Sequence, residues 1–415
     1  MNNYSLTPRF AQSVLSEALD DSPVVLLHGP RQCGKSTLAR VLGEQRGYDY
    51  ITFDDDVIRA AAHSDPIGFV ESLADRVILD EVQRVPHIFT SLKASVDRNR
   101  LPGRFLLTGS ANVLLLPKLA DSLAGRMAIQ RLYPFAQCEL KGDDSDFLNR
   151  LFKANFPMRK AERLKEALLA RIVAGGYPAA LIRPDGRRRD NWYRDYISTI
   201  VQRDVRDISH IRSLDELPRL LRVAAARTAQ LFNLTELASA FQLSRPTIGE
   251  YMTLLENIFL LEKLEPWHSN RTSRLIKTPK LHMSDTGLTC SLLGLSTDVL
   301  LKDRSQLGPL LETFVYQELK RQASWHDKNH DFFHYRDKDQ VEVDIVIERG
   351  VTELVGIEIK SSATVTAADF KGLQKLQHIA GKRFVGGVVL YDGEISVGFG
   401  EKLFAVPIRW LWDNP

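Results

Sequence analysis

The sequence has few cysteines, little net charge and no long apolar run. Its three cysteines, Cys33, Cys138 and Cys290, form no CxxC pair, which argues against a zinc knuckle or a disulfide framework and favours a reducing compartment. No apolar run approaches the roughly 20 residues that span a bilayer, and the N-terminus does not have a signal-peptide pattern. We therefore expect a cytoplasmic protein with no membrane role.

The net charge of +3 is nearly balanced, so partners have to be inferred from local charge and not from the total. The 415 residues, 44% of them hydrophobic, provide ample material for a core and suggest roughly two to four domains. No internal repeat or low-complexity segment is found, which argues against a solenoid or a disordered tail.

The first third of the chain alternates short apolar runs with helical stretches, which predicts an α/β unit with a parallel sheet. The expected strands are Val24–His28, Tyr50–Phe53, Arg76–Leu79, Arg104–Thr108 and Ala128–Tyr133. The next region is helix-rich and charged, the third has short helices followed by strands, and the last reads as helix, hairpin, helix and strand. The predicted domains are 1–135, 136–229, 230–300 and 301–415.

A glycine-rich loop follows the first predicted strand and precedes a helix-compatible segment. Its sequence, GPRQCGKS, fits the GxxxxGK[ST] pattern of a P-loop in the expected strand–loop–helix context. Glycines let backbone N–H groups surround phosphates, Lys35 adds a positive charge, and the Ser36 hydroxyl is a ligand for Mg²⁺. The predicted ATP-binding residues are Gly29, Pro30, Arg31, Gln32, Cys33, Gly34, Lys35, Ser36 and Thr37.

Two adjacent carboxylates, Asp80 and Glu81, come directly after the predicted strand Arg76–Leu79. After a P-loop, this pattern indicates that Asp80 faces Mg²⁺ and that Glu81 activates the attacking water. The alternative is a helix N-cap followed by an acidic residue in the first turn.

The next predicted strand ends in polar residues that would lie beside the γ-phosphate. Ser110 is the sensor candidate, with Thr108 and Asn112 as alternatives; each hydroxyl could instead satisfy turn backbone. Arg126, just before the last core strand, is the candidate arginine finger for a neighbouring subunit, and the alternative is an ordinary surface salt bridge.

Several short motifs recur in order along the whole chain: VILDE at 77–81, LLTGS at 106–110, SLAGR at 122–126, GGYP at 175–178, SDTGL at 284–288 and LETFVYQEL at 311–319. With the P-loop, they make the chain resemble the bacterial and archaeal AAA+ ATPases that carry a C-terminal domain of unknown function. The resemblance implies an ATPase core, a helical and winged-helix middle, a nuclease-like end and a homo-oligomer such as a hexameric ring. The sensor strand departs from better-known AAA+ proteins by ending in Thr-Gly-Ser, which leaves the sensor open; Arg203 is a candidate sensor-two arginine.

Residues 234–255 have helix-turn-helix spacing, with Ser244 as the N-cap of the second helix and Pro246 in its first turn. The segment that follows would form a basic wing suited to phosphates. The second helix offers only Arg245 as a cation, which disfavours sequence-specific readout. A structural lid or oligomer contact, nonspecific DNA contact and operator binding all stay open. The candidate DNA-binding residues are Arg245, Arg271, Arg274, Lys277 and Lys280.

Residues 341–348 and 354–360 alternate apolar and charged residues, and a turn near Gly350 would fold them into a hairpin. Asp344 and Glu358 would then lie opposite each other, with Lys360 on the same face. This is similar to the D…ExK arrangement of the PD-(D/E)xK nuclease fold. The resemblance implies that Asp344 and Glu358 hold a divalent metal ion, that Glu312 could complete the site, and that Lys360 polarises the attacking water. The alternative is a surface ion-pair ladder.

Three functions fit these patterns. The first is an oligomeric, Mg²⁺-dependent ATPase that engages DNA, including branched forms, through its wing and C-terminal unit. The second is a nucleotide-gated switch that binds protein partners and carries an inactive nuclease-like domain. The third is an ATPase that regulates a true metal-dependent nuclease. All three stay open because a nuclease-like fold alone does not establish cleavage.

Overall fold

The structure is a computed structural model that describes residues 7–110, 123–208, 216–270 and 278–414, with only the backbone described at 202–208. The chain divides into two compact units. The first consists of Met1–Phe135 and Asn257–Phe259, and the second of Ala136–Glu256 and Leu260–Pro415. Within the described ranges, no helix has both the length and the apolar character needed to cross a bilayer.

The first unit contains a five-stranded sheet in the order β2-β3-β4-β1-β5, and all of its described pairings are parallel. Every residue of β1, β3 and β4 is buried, which is typical of parallel strands covered on both faces. The predicted α/β class with a parallel sheet is confirmed. The strands are β1 Val24–His28, β2 Asp49–Thr52, β3 Val77–Asp80, β4 Phe105–Gly109 and β5 Met127–Arg131.

Helices cover both faces of this sheet, and the alternation of side chains along each strand divides the core in two. Val25 and Leu27 pack with Leu15 of the first helix and Leu38 of the second. Their neighbours Val24 and Leu26 belong to the core on the other face. The helices are α1 Ala11–Asp21, α2 Lys35–Arg46, α3 Asp56–Ser64, α4 Pro66–Glu71 and α5 Ile88–Arg98, with a 3₁₀ turn at Val82–Arg84.

The second unit contains one ten-stranded mixed sheet in the order β6-β14-β15-β13-β12-β11-β10-β8-β9-β7. Strands β8 and β10 pair in parallel through Phe333 and Glu265, so strands from the 230–300 and 301–415 segments share one sheet. The finer division of this unit into three domains stays a prediction. The strands are β6 Arg159–Lys160, β7 Gln230–Leu231, β8 Leu261–Pro266, β9 Lys280–Met283, β10 Asp331–Arg336, β11 Glu342–Arg349, β12 Glu353–Lys360, β13 Phe384–Tyr391, β14 Ile395–Gly398 and β15 Leu403–Pro407.

The helices of the second unit pack on and around this sheet. Leu373 and Leu376 of the last helix lie against Val346 and Leu354, which buries the middle of the hairpin. The helices are α6 Gln137–Lys141, α7 Phe147–Phe152, α8 Glu166–Ala174, α9 Pro178–Leu181, α10 Arg187–Ile208, α11 Glu216–Ala226, α12 Leu234–Phe241, α13 Arg245–Asn257, α14 Thr286–Leu293, α15 Thr297–Lys302, α16 Leu307–Ala323 and α17 Lys371–Ala380. Short 3₁₀ turns occur at Ala367–Phe370, Gly381–Arg383 and Ile408–Leu411.

Helices α12 and α13 are the two helices expected from the helix-turn-helix spacing. The Ser244 hydroxyl accepts a hydrogen bond from the backbone N–H of Thr247 at 3.2 Å, which is the contact expected of an N-cap. Arg245 is exposed at the start of α13. Strands β8 and β9 follow as an antiparallel pair.

Candidate functional site

The P-loop connects β1 to α2, because the strand ends at His28 and the helix begins at Lys35. Gly29 has a φ of 149°, and a Cβ at this position would lie 2.2 Å from the backbone oxygen of Leu132. Glycine is therefore required where the loop passes β5. The free N–H groups at the start of α2 provide the usual anion-binding end of a helix.

Lys35 directs its side chain back onto the loop. Its Nζ donates hydrogen bonds to the backbone oxygens of Gly29 at 3.0 Å and Pro30 at 2.8 Å, and the residue is buried. The ammonium thus lies inside the segment predicted to bind phosphate.

Asp80, the last residue of β3, accepts hydrogen bonds from three hydroxyl groups. Ser36 donates to Oδ1 at 2.8 Å, Tyr50 donates to Oδ2 at 2.6 Å, and Thr108 donates to Oδ1. Burial and the hydrogen bond to Asp80 raise the pKa of Tyr50 to about 12, so its hydroxyl stays protonated near neutral pH. The structure therefore brings together the predicted Mg²⁺ residues, and a hydroxyl beside a carboxylate fits the oxygen ligands that this ion prefers.

Glu81 lies in a left-handed backbone conformation with φ of 59°, which costs about 1–3 kcal/mol for a non-glycine residue. Ser110 donates a hydrogen bond to its Oε2 at 2.9 Å, and Gln83 contacts both this carboxylate and, at 2.9 Å, the Ser110 hydroxyl. The sensor candidate therefore touches the predicted catalytic glutamate. Asn112, the other alternative, lies outside the described residues.

Arg126 forms a two-point ion pair within its own unit. Its Nε and Nη2 donate to the two carboxylate oxygens of Asp97 at 2.6 and 3.1 Å, and this hydrogen bonding lowers the pKa of Asp97. Within one copy of the chain, Arg126 thus makes a surface salt bridge, and its role as an arginine finger stays a prediction.

A second group of charged side chains meets in the second unit. Ile345 of β11 pairs with Ile357 of β12, and Asp344 and Glu358 are the residues next to this pair on the two strands. The Asp344 carboxylate accepts a hydrogen bond from the backbone N–H of Ile359 at 2.9 Å, and Lys360 lies 3.4 Å from Glu358. The hairpin brings together the acidic pair and lysine as predicted from the alternation.

Lys280 is the unexpected member of this group. Sequence reasoning placed it among the phosphate-facing wing cations, but its side chain is only 4% exposed. Its Nζ donates to Glu312 at 2.8 Å and lies 3.4 Å from Asp344. Lys280 is therefore a buried partner of two carboxylates and not an exposed wing residue. The other predicted wing cations, Arg271, Arg274 and Lys277, lie outside the described residues, as does the side chain of Arg203.

Burial and mutual repulsion control the electrostatics of this group. Burial, then the charge of Asp344, raise the pKa of Glu312 to about 8, although Lys280 opposes the shift. Burial and Asp344 also raise the pKa of Glu358 well above its usual range. Burial alone would lower the pKa of Lys280, but Glu312 and Asp344 outweigh it and the pKa is raised. His282 is kept neutral because burial, and then the charge of Lys280, lower its pKa.

The predicted metal ligands Glu312 and Asp344 lie on either side of Lys280, with Glu358 beside Asp344, and this arrangement does not fit a divalent ion. Among the described residues, no group of three or more His, Cys, Asp or Glu side chains is placed to hold a metal ion. Glu312 and Asp344 instead share the ammonium of Lys280.

Three contacts were missed by sequence reasoning. Tyr50 was read only as part of an apolar strand, and its hydroxyl on a strand beside β3 was the available signal. Gln83 follows the acidic pair by two residues, but no local pattern predicts its contact with Ser110. The role of Lys280 depends on long-range strand pairing.

Three segments match known families. Residues 21–141 match a family described as an AAA domain. Residues 165–299 and 307–411 match two families described as domains of unknown function, DUF8612 and DUF4143.

Relatives extend over nearly the whole chain. Uncharacterized proteins of Mycobacterium tuberculosis and Mycobacterium bovis are each 29% identical over 402 residues, covering 96% of this chain and 83% of the relative. An uncharacterized protein of Methanocaldococcus jannaschii is 23% identical over 408 residues, covering 94% of this chain and 88% of the relative.

Solved structures show weaker similarity. A Walker-type ATPase of Pyrococcus abyssi has a TM-score of 0.47 at 16% identity, covering 70% of this chain and 97% of that chain. The branch migration motor RuvB of Thermotoga maritima has a TM-score of 0.27 at 19% identity, covering 61% and 88%. AMPPCP-bound DnaA of Aquifex aeolicus has a TM-score of 0.27 at 18% identity, covering 60% and 88%.

The AAA-domain match and the geometry around Lys35, Asp80 and Glu81 together support an AAA+ or P-loop ATPase family. The fold supports ATP binding and ATPase activity.

Proposed function

We propose that the protein is a Mg²⁺-dependent ATPase whose turnover is coupled to DNA. The observation that carries the first half is the contact chain at the carboxyl ends of β3 and β4, in which Ser36 meets Asp80 and Ser110 meets Glu81. These are the positions at which a parallel P-loop sheet binds its ligand.

Each residue then has a defined task. Lys35 neutralises the phosphates of ATP, and Ser36 and Asp80 would hold Mg²⁺, which supplies positive charge to the transferring phosphoryl group. Glu81 orients the attacking water and takes its proton. Ser110 and Gln83 fix the Glu81 carboxylate, since they contact one another as well as the glutamate.

Several features of the second unit support the DNA half of the proposal. Supporting it are the two helices α12 and α13 with exposed Arg245 at the start of the second, the following antiparallel strands, and the D…ExK-like hairpin. Assembly into a homo-oligomer, with a hexameric ring as one form, comes from the AAA+ resemblance. Contact with DNA would be through the phosphate backbone and therefore weakened by salt.

The alternative is a nucleotide-gated switch that binds a protein partner and carries an inactive nuclease-like domain. The position of Lys280 between Glu312 and Asp344 favours an inactive centre.

The test is ATP turnover with Mg²⁺ in the wild type and in Glu81→Gln, with and without single-stranded, duplex and four-way DNA, at two salt concentrations. The matched control is Glu44→Gln, the same chemical change at an exposed position of α2. We expect Glu81→Gln to lower turnover by at least about a hundredfold, as loss of a general base does. We expect one DNA form to stimulate the wild type, with less stimulation at high salt. If no DNA form changes the rate of ATP turnover, the proposed coupling to DNA is wrong and the nucleotide-gated switch is favoured.

A further inference from the structure

Lys280 is held on both sides by strand pairing. Within β9 it lies opposite Leu264 of β8 and opposite Leu231 of β7. The backbone is therefore fixed, and the side chain enters the space between α16 and the β11–β12 hairpin, where it contacts Glu312 and Asp344. A lysine on an exposed wing would have neither this backbone restraint nor these partners.

A cation at this place offsets the negative charge of Glu312 and Asp344. A buried carboxylate is stable only when it is paired or protonated, and a buried ammonium is stable only when it is paired or deprotonated. Lys360 pairs with Glu358 at 3.4 Å, and His282 is kept neutral by its burial. Among the described residues, Lys280 is the cation that contacts both Glu312 and Asp344.

We propose that Lys280 is a built-in cation that takes the place of a divalent metal ion between Glu312 and Asp344, so that the D…ExK-like centre is neutralised without metal. A divalent ion would need the same carboxylate oxygens at about 2.1 Å. The ammonium already uses one of them at 2.8 Å and lies 3.4 Å from the other. Two cations cannot occupy this buried space together, because they would repel each other and compete for the same ligands.

The proposal predicts a metal site that appears when the lysine is removed. Methionine has nearly the length of lysine and no charge, so Lys280→Met would leave Glu312 and Asp344 facing a space without a cation. Titration of the full chain with Mn²⁺ alone, without nucleotide, is followed by electron paramagnetic resonance. The variants are wild type, Lys280→Met, Lys280→Met with Asp344→Asn, and Lys302→Met as the control at an exposed position of α15.

We expect Lys280→Met to bind one Mn²⁺ more than the wild type does. The added site should disappear in the double variant, and Lys302→Met should behave as wild type. If Lys280→Met folds but gains no site, Lys280 is not in a metal position and the proposal is wrong.

Removal of the lysine could instead destabilise the chain, so a second comparison does not depend on that variant. The wild type and Asp344→Asn should bind Mn²⁺ identically, because no metal uses Asp344 when Lys280 is present. Loss of a wild-type Mn²⁺ site in Asp344→Asn would overturn the proposal. Neither measurement uses ATP turnover. A failure of the Lys280 proposal can therefore be distinguished from a failure of the ATPase proposal.

Discussion

Asp285 binds Arg321 through a buried ion pair of 3.1 Å and at the same time caps the first turn of helix α14. The same carboxylate accepts a hydrogen bond from the backbone N–H of Gly176 at 2.8 Å. A Cβ at Gly175 would lie 2.2 Å from an Asp285 oxygen, so this neighbouring position requires glycine. The GGYP and SDTGL motifs therefore meet at one point, and their contacts there are structural.

Replacing Asp285 should strongly destabilise the second unit. Asp285→Asn keeps the size of the side chain but removes one of the ion pairs of the buried Arg321 guanidinium, whose pair with Glu318 at 3.0 Å is kept. Breaking a buried ion pair costs about 3–5 kcal/mol. Denaturant unfolding monitored by a signal from the second unit should show this loss.

The control is Asp298→Asn, at an exposed position in the first turn of α15, which should change stability by less than about 0.5 kcal/mol. A loss below about 1 kcal/mol in Asp285→Asn would mean that water or a relaxed Arg321 replaces the pair.

The contacts of Glu81 predict how its neighbours affect catalysis. Ser110→Ala removes the hydrogen bond to the Glu81 carboxylate, and Gln83→Ala removes the contacts to both residues. A hydrogen bond to a charged group contributes roughly 1.5–3 kcal/mol, which corresponds to about ten- to a hundredfold in rate. We expect kcat to fall by this factor while the Kd for ATP changes little.

A double variant separates a shared role from two independent ones. Because Ser110 and Gln83 act on the same carboxylate, their combined effect should be smaller than the product of the single effects. Fully multiplicative effects, or a weaker affinity for ATP with unchanged kcat, would contradict a role in holding Glu81.

Much of the first unit was predictable because its signals are local. The five strands predicted from apolar runs match the observed ones to within one or two residues, and GxxxxGK[ST] identifies the loop before α2. The register Ile345 with Ile357 follows from the alternation and the turn. In contrast, the burial of Lys280 depends on the pairing of β8 with β10 across about 70 residues of chain. The local sequence pattern of a basic wing segment is the same whether a lysine is exposed or buried, so it could not predict this burial.

The lowered pKa of His28 predicts that the stability of the first unit depends on pH. Burial, and then the charges of Arg131 and Lys35, lower its pKa from 6.5 to about 4. The folded state therefore favours neutral His28, so its contribution is complete above pH 6.5 and is lost as pH falls from 6.5 towards 4. Between pH 7 and pH 5, about 2 kcal/mol should be lost from this residue.

Denaturant unfolding of the wild type, His28→Gln and His63→Gln at pH 7 and pH 5 checks this prediction. His63 is exposed on α3, so its variant should keep the pH dependence of the wild type. His28→Gln should lose about 2 kcal/mol less than the wild type on acidification. Equal losses in all three proteins would assign the pH dependence to other groups.

Substitutions of Arg126 and Asp97 distinguish two roles of Arg126, an arginine finger and a surface salt bridge. The pair is solvent-accessible, with side-chain exposures of 25% and 36%, and such pairs contribute only about 0.2–1 kcal/mol. A guanidinium held this weakly can exchange Asp97 for the phosphate of a nucleotide bound to a neighbouring subunit at little cost in free energy.

We therefore expect Arg126→Ala to lower ATP turnover by roughly 10³ in the assembled protein, the size of an arginine-finger effect. Asp97→Asn should leave turnover unchanged, because it frees the arginine without removing it. Turnover is measured over a range of protein concentrations, since a finger acts only between subunits. Small and equal effects of the two substitutions would assign Arg126 to the salt bridge alone.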